Sequence, residues 1–167
     1  MYRLALFSLA LLLSGCGFAL RGSAELPAQL QPLHLEAIDT DSDLLRELRR
    51  VLQSNRVALA PDAGDGDGDG DGYSLGVGLE ERSERVVSVN VNARAGEYEL
   101  TLALPWQLRH GATLVAGPER LALSRTYLAD PENAVAKSQE AEQILREMRQ
   151  DLSRQLLHRL QVLPLPQ

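Results

Sequence analysis

The chain has 167 residues, a formal net charge of −6 and one cysteine. That length is one domain's worth, enough to bury a real core, and a lone thiol excludes an internal disulfide or a cysteine-based zinc cage. An acidic balance with no lysine or arginine block argues against nucleic acid as a partner.

Arg3 precedes an apolar run from Leu4 to Leu13. The run is about half the ~20 residues a helix needs to cross a bilayer, so it reads as the hydrophobic core of a signal peptide spanning residues 1–15. Leu13-Ser14-Gly15-Cys16 resembles the lipobox of bacterial lipoproteins. The resemblance implies cleavage before Cys16 and lipidation of its thiol and new amino group, with this covalent lipid as the one non-protein group expected. An ordinary secretory signal cut after a small residue is the other reading. Three acyl chains, at ~0.8 kcal/mol per buried CH₂, would hold the mature protein on a bilayer essentially permanently. Gly17 follows the cysteine, and by resemblance to lipoprotein sorting the lack of aspartate there implies the outer membrane.

Residues 16–32 carry Gly22, Pro27 and Pro32 without periodicity, which predicts an extended stalk, with a single periplasmic domain over 33–162 and a short tail at 163–167. Leu33, Leu35 and Ala37 alternate with polar neighbours as a first strand. Thr40-Asp41-Ser42-Asp43 offers capping oxygens to a helix whose apolar face is Leu44, Leu45, Leu48, Val51 and Leu52, ending at Asn55. Residues 62–72 hold a Gly-Asp alternation with no apolar atoms to bury, which predicts a flexible loop.

Leu75, Val77 and Leu79, then Val87, Val89 and Val91, recur at period two in two runs separated by Glu80 to Arg85, as one long bulged strand or two short ones. Ala93 to Gly96 reads as a turn. Tyr98, Leu100, Leu102, Leu104, Trp106 and Leu108 then form the cleanest alternation in the chain, with Glu97, Glu99, Thr101, Gln107 and Arg109 on the other face. His110-Gly111 predicts a hairpin into a last strand over about 112–128, interrupted near Gly117-Pro118. Asp130-Pro131-Glu132 is a helix start, with a carboxylate cap and proline in the first turn, and the apolar stripe Ala134, Ala141, Ile144, Leu145, Met148, Leu152, Leu156, Leu160 runs to the end. The order predicts an α/β (α+β) two-layer sandwich: an about four-stranded mixed sheet with two amphipathic helices on one face, and a polar outer face bearing Ser88, Asn90, Glu99, Thr101 and Gln107.

No pattern points to catalysis. Gly72-Tyr73-Ser74-Leu75-Gly76 matches the serine nucleophile elbow in letters, but a β pattern follows where the elbow needs a helix, and none of His34, His110 and His158 is marked as its base. Asp65 to Gly70 matches the opening of a calcium loop, yet Gly76 stands where a bidentate glutamate belongs. The expectation is no enzyme, no metal site and a solvated acidic loop.

Two segments resemble the lipopolysaccharide-assembly lipoprotein family LptE, also called rare lipoprotein B. The first is Cys16-Gly17-Phe18-Ala19-Leu20-Arg21-Gly22; the second comprises Tyr127, Asp130-Pro131, Ala134, Ala136-Lys137, Glu140, Glu147-Met148, Gln155 and Arg159-Leu160. The resemblance implies an outer-membrane lipoprotein that plugs the large β-barrel LptD and helps deliver lipopolysaccharide to the outer leaflet by binding it. It also implies that a lysine near the start of the last helix and an arginine near the middle hairpin meet the ligand's anionic groups. Lys137 matches the first in register; the second aligns with Val91, and Arg94 is the nearest cation in that turn. A free periplasm-facing lipoprotein that binds another amphiphile without a barrel is the competing reading.

Overall fold

A computed structural model describes residues 26–61, 72–89, 95–128 and 134–165. The signal peptide, Cys16, the Gly-Asp tract up to Asp71, Val91, Arg94 and Asp130-Pro131-Glu132 lie outside the described residues. Strand β1 (Leu33–Ala37) leads to helix α1 (Asp43–Ser54), then to β2 (Tyr73–Val77), β3 (Glu81–Val89), β4 (Ala95–His110), β5 (Thr113–Leu128) and helix α2 (Ala134–Val162).

Ser42 starts α1 as predicted, its Oγ accepting from Leu45 N at 3.2 Å, so one of the amides that a helix N-terminus leaves unpaired is satisfied. All five residues of the expected apolar face are buried. On α2, Ala141, Leu145, Met148, Leu152, Leu156 and Leu160 are buried as expected, with Leu157 beside them. Each such side chain contributes ~1.5 to 3 kcal/mol by leaving water, so the two stripes are what holds the helices on the sheet.

The sheet is mixed. β1 and β2 are parallel, and every other pairing is antiparallel. β5 follows one edge of β4, while β2 and β3 succeed each other along the opposite edge, β2 against 106–110 and β3 against 95–103. The two-strand alternative for residues 73–91 therefore holds, with the strands in line; five strands make a sheet four wide at one end and three wide at the other. Leu75, Val77, Leu100, Leu102, Leu104, Trp106 and Leu108 form its buried inner face under both helices.

The structure corrects the expected boundaries in five places. First, the core reaches back into the supposed stalk, with Leu26 and Leu30 buried. The Gln31 amide clamps this segment, donating to Leu26 O (3.1 Å) and accepting from Ala58 N (2.9 Å). Second, β3 starts at Glu81, inside the run read as a separator, and its Val87 and Val89 are exposed rather than core-facing. The register with β4 sets Arg82, Glu84 and Val86 at the inner positions opposite Leu102, Leu100 and Tyr98, so the odd-numbered residues face outward, and bulges after Val86 bring Ser88 to the outer side as well, opposite Glu97. Third, β4 takes in Ala95 and Gly96, which had been read as turn. Fourth, β5 is continuous through Gly117-Pro118, where the register shifts against β4 and a bulge absorbs the proline. Fifth, the chain after α1 adds a bridge beside β1, Leu33 pairing with Leu59.

Candidate functional site

The two ends of the sheet are built differently. At the hairpin end, Gly111 takes φ +52° to turn β4 into β5, and Tyr73 stacks on His110 with ring centroids 4.4 Å apart. At the far end β3 finishes, β4 begins, β5 finishes and α2 departs, so antiparallel pairing gathers four chain ends there. Lys137 lies in the first turn of α2 at this end. Arg94 and Val91 belong to the segment that connects Val89 to Ala95.

The inner face at this end carries polar side chains as well as leucines. Tyr127, only 5% exposed, donates its hydroxyl to Glu84 at 2.8 Å and stacks on Tyr98 with centroids 5.6 Å apart. Burial, reinforced by the Glu84 carboxylate, pushes the Tyr127 phenol well above its ordinary range, so it stays a donor. Glu84 is on β3 and Tyr127 on β5, so this bond crosses the central strand. Two residues along β3, Arg82 pairs with Glu142 of α2 at 3.5 Å. At this end Val86 on the inner face and Val89 and Leu128 on the outer face are 50%, 68% and 69% exposed, an aliphatic rim shared between the two faces.

A second polar cluster sits deeper. Arg149 of α2 places Nε and Nη2 2.9 and 2.8 Å from the two carboxylate oxygens of Glu80, and its Nη1 lies 3.2 Å from Asp43 of α1. It ties both helices to the link between β2 and β3. Farther along, Arg125 of β5 bonds Glu147 and Asp151, and Asp151 also takes Arg154; these guanidinium bonds hold the Asp151 carboxyl below the usual carboxylate range despite partial burial. Two guanidiniums face two carboxylates here, so the cluster presents no net positive charge to an anion.

The outer face, which neither helix covers, mixes hydroxyl side chains with cross-strand charge pairs. Ser83, Thr101 and Ser124 share one row, and the Thr101 and Ser124 hydroxyls meet at 2.8 Å. Arg85 bonds Glu99 at 2.7 Å, holding that carboxyl below its usual range, and Arg120 of β5 reaches Glu81 of β3 at 2.7 Å across Ala103. At the β1 corner, Gly76 and Gly78 leave a shallow groove of about 400 Å³ walled by Ile38, Pro105, Gln107 and Pro118.

The elbow residue Ser74 lies inside extended β2, with His34 and Arg109 as register partners and no side-chain hydrogen bond to either among the described residues. That is not the strained strand-to-helix turn a serine nucleophile requires. Sequence reasoning did not find the Glu84–Tyr127 and Glu80–Arg149 bonds, which join residues 43 and 69 positions apart.

A family model described as "LptE: Lipopolysaccharide-assembly" matches residues 30–160. The LPS-assembly lipoprotein LptE of Yersinia pestis (strain Pestoides F) is 34% identical over 160 residues, covering 93% of this chain and 73% of its own. That of Yersinia pseudotuberculosis serotype O:1b matches to the same extent. Among solved structures, rare lipoprotein B from Shewanella oneidensis superposes with a TM-score of 0.62 at 28% identity, covering 77% of this chain and 89% of that one. A lipoprotein B from Nitrosomonas europaea gives a TM-score of 0.68 over 87% and 90% of the two chains; at 22% identity it supports the fold alone.

Proposed function

Because this chain belongs to the LptE lipopolysaccharide-assembly family, we propose that it is the lipid-anchored partner and plug of the outer-membrane β-barrel LptD and assists lipopolysaccharide assembly by binding the lipopolysaccharide. Its family consists of assembly factors at the periplasmic side of the outer membrane, not enzymes. Among the described residues no helix is long and apolar enough to cross a membrane. The anchor in this reading is the lipid on Cys16.

The observation that carries the proposal is the extent of the match, which spans nearly all of the domain, from the buried Leu30 to the last buried leucine, Leu160. Physical features support it. A barrel lumen is polar, and the outer sheet face, with its hydroxyl row and its Arg85–Glu99 and Arg120–Glu81 pairs, suits such a wall. The far end of the sheet suits an anionic amphiphile. Lys137 and Arg94 would meet phosphates through charge-assisted bonds, while the rim of Val86, Val89 and Leu128 offers apolar contact.

Mild detergent extraction of cells, followed by purification of this protein, tests the proposal. A heat-modifiable barrel protein in near-equal amount is expected. Recovery of the chain alone as a stable monomer would instead favour a free lipoprotein that binds another amphiphile.

A further inference from the structure

Tyr127 is the penultimate residue of β5, seven positions before the first described residue of α2. Its ring is buried against Tyr98, a task phenylalanine could perform as well. The hydroxyl does something different. It reaches Glu84 on the opposite edge strand, so β3 and β5 are joined over β4 near where both strands end. The ladders on β4 set the register of both strands, and the phenol–carboxylate bond adds a directional tie between the two edges that apolar contact cannot supply. Arg82, on the same face of β3, holds α2 through Glu142, five residues beyond Lys137. The strand that leads into α2 and the first turns of α2 are thus referred to the same edge strand.

We infer that Tyr127 is a positioning residue for lipopolysaccharide binding: its bond to Glu84 fixes the end of β5, and with the Arg82–Glu142 pair it sets where the Lys137-bearing turn of α2 stands. The inference rests on the ligand-binding reading above. It assigns Tyr127 no contact with ligand.

The test uses the full mature lipoprotein in detergent, with purified rough-type lipopolysaccharide as the probe. Tyr127→Phe should weaken binding about fivefold, because the lysine contact is displaced rather than removed, and should speed amide exchange over residues 138–145 of α2. Glu84→Gln keeps an amide oxygen that accepts from the phenol, and should bind within about twofold of the parent protein. Arg149→Gln, which loosens a different part of the domain, should also bind within about twofold, separating position from general stability. Unchanged binding by Tyr127→Phe overturns the inference, and so does an equal loss from Arg149→Gln. If Lys137→Glu weakens binding while Tyr127→Phe does not, only the positioning role falls; if the parent chain does not bind the probe, the ligand-binding reading falls first.

Discussion

The hairpin half of the sheet and its far half share one central strand but are held by different forces. Near the hairpin, Leu75, Val77, Leu104, Trp106 and Leu108 lie fully under the two helices, and apolar burial does the holding. At the far end β4 keeps its buried Leu100 and Leu102, while its neighbour β3 turns Arg82 and Glu84 inward and leaves its valines exposed. Directional bonds replace burial there. Such a region is less stable against local opening than the core, yet more sharply placed, and binding segments are commonly drawn from that low-stability end. Charges on β3 also protect an edge strand from pairing with other chains.

The largest expected effect breaks or confirms this contrast directly. Leu104→Ala should cost about 2 to 5 kcal/mol in urea unfolding, because it opens a cavity in a closed core, whereas Val86→Ala should cost under about 1 kcal/mol. Equal losses would mean that the far end is packed like the near one. Next in size is the tie between the halves. Arg149→Ala leaves Glu80 half-buried without its guanidinium and should cost about 2 kcal/mol, and the double change with Glu80→Gln should recover part of it. Full additivity of the two single changes would show that the bond carries no coupling.

The smallest effects lie in pH. The Asp151 and Glu99 carboxyls are held below their ordinary range by guanidinium bonds, so their contribution is present above the unfolded carboxylate range and is lost as pH falls below ~4. Asp151→Asn should flatten that acid limb in thermal melts. Tyr127 has the opposite sign. Its phenol is raised, so the folded state keeps a proton that the unfolded chain releases, and stability should decline as pH climbs above ~10. Tyr127→Phe should remove that part of the alkaline decline, and an unchanged alkaline limb would contradict the buried phenol–carboxylate bond.

Local chemistry made the hairpin half legible in the sequence. The Ser42 cap and the Leu44 to Leu52 stripe define α1, and the even positions from Tyr98 to Leu108 define the core face of β4, because each pattern needs only its own segment. The far half was not legible in that way. Val87 and Val89 alternate as if facing a core, and only the register with β4 shows that Arg82 and Glu84 face inward instead. Pro27 and Pro32 suggest a stalk, since nothing local shows that Leu26 and Leu30 find a pocket. For the site, Lys137 and Arg94 come from resemblance, not geometry, and the bonds of Tyr127 and Arg149 join residues too distant in sequence to leave a pattern.

The central claim is that the far end of the sheet, and not the hairpin end, meets lipopolysaccharide. Its most direct measurement compares two charge reversals in the mature lipoprotein, Lys137→Glu in the first turn of α2 and Arg109→Glu beside the hairpin. Binding of purified lipopolysaccharide should fall about tenfold for Lys137→Glu, the scale of one charge-assisted contact, and stay within about twofold for Arg109→Glu, with both variants melting close to the parent protein. Equal binding by the two variants, or a larger loss for Arg109→Glu, would contradict it.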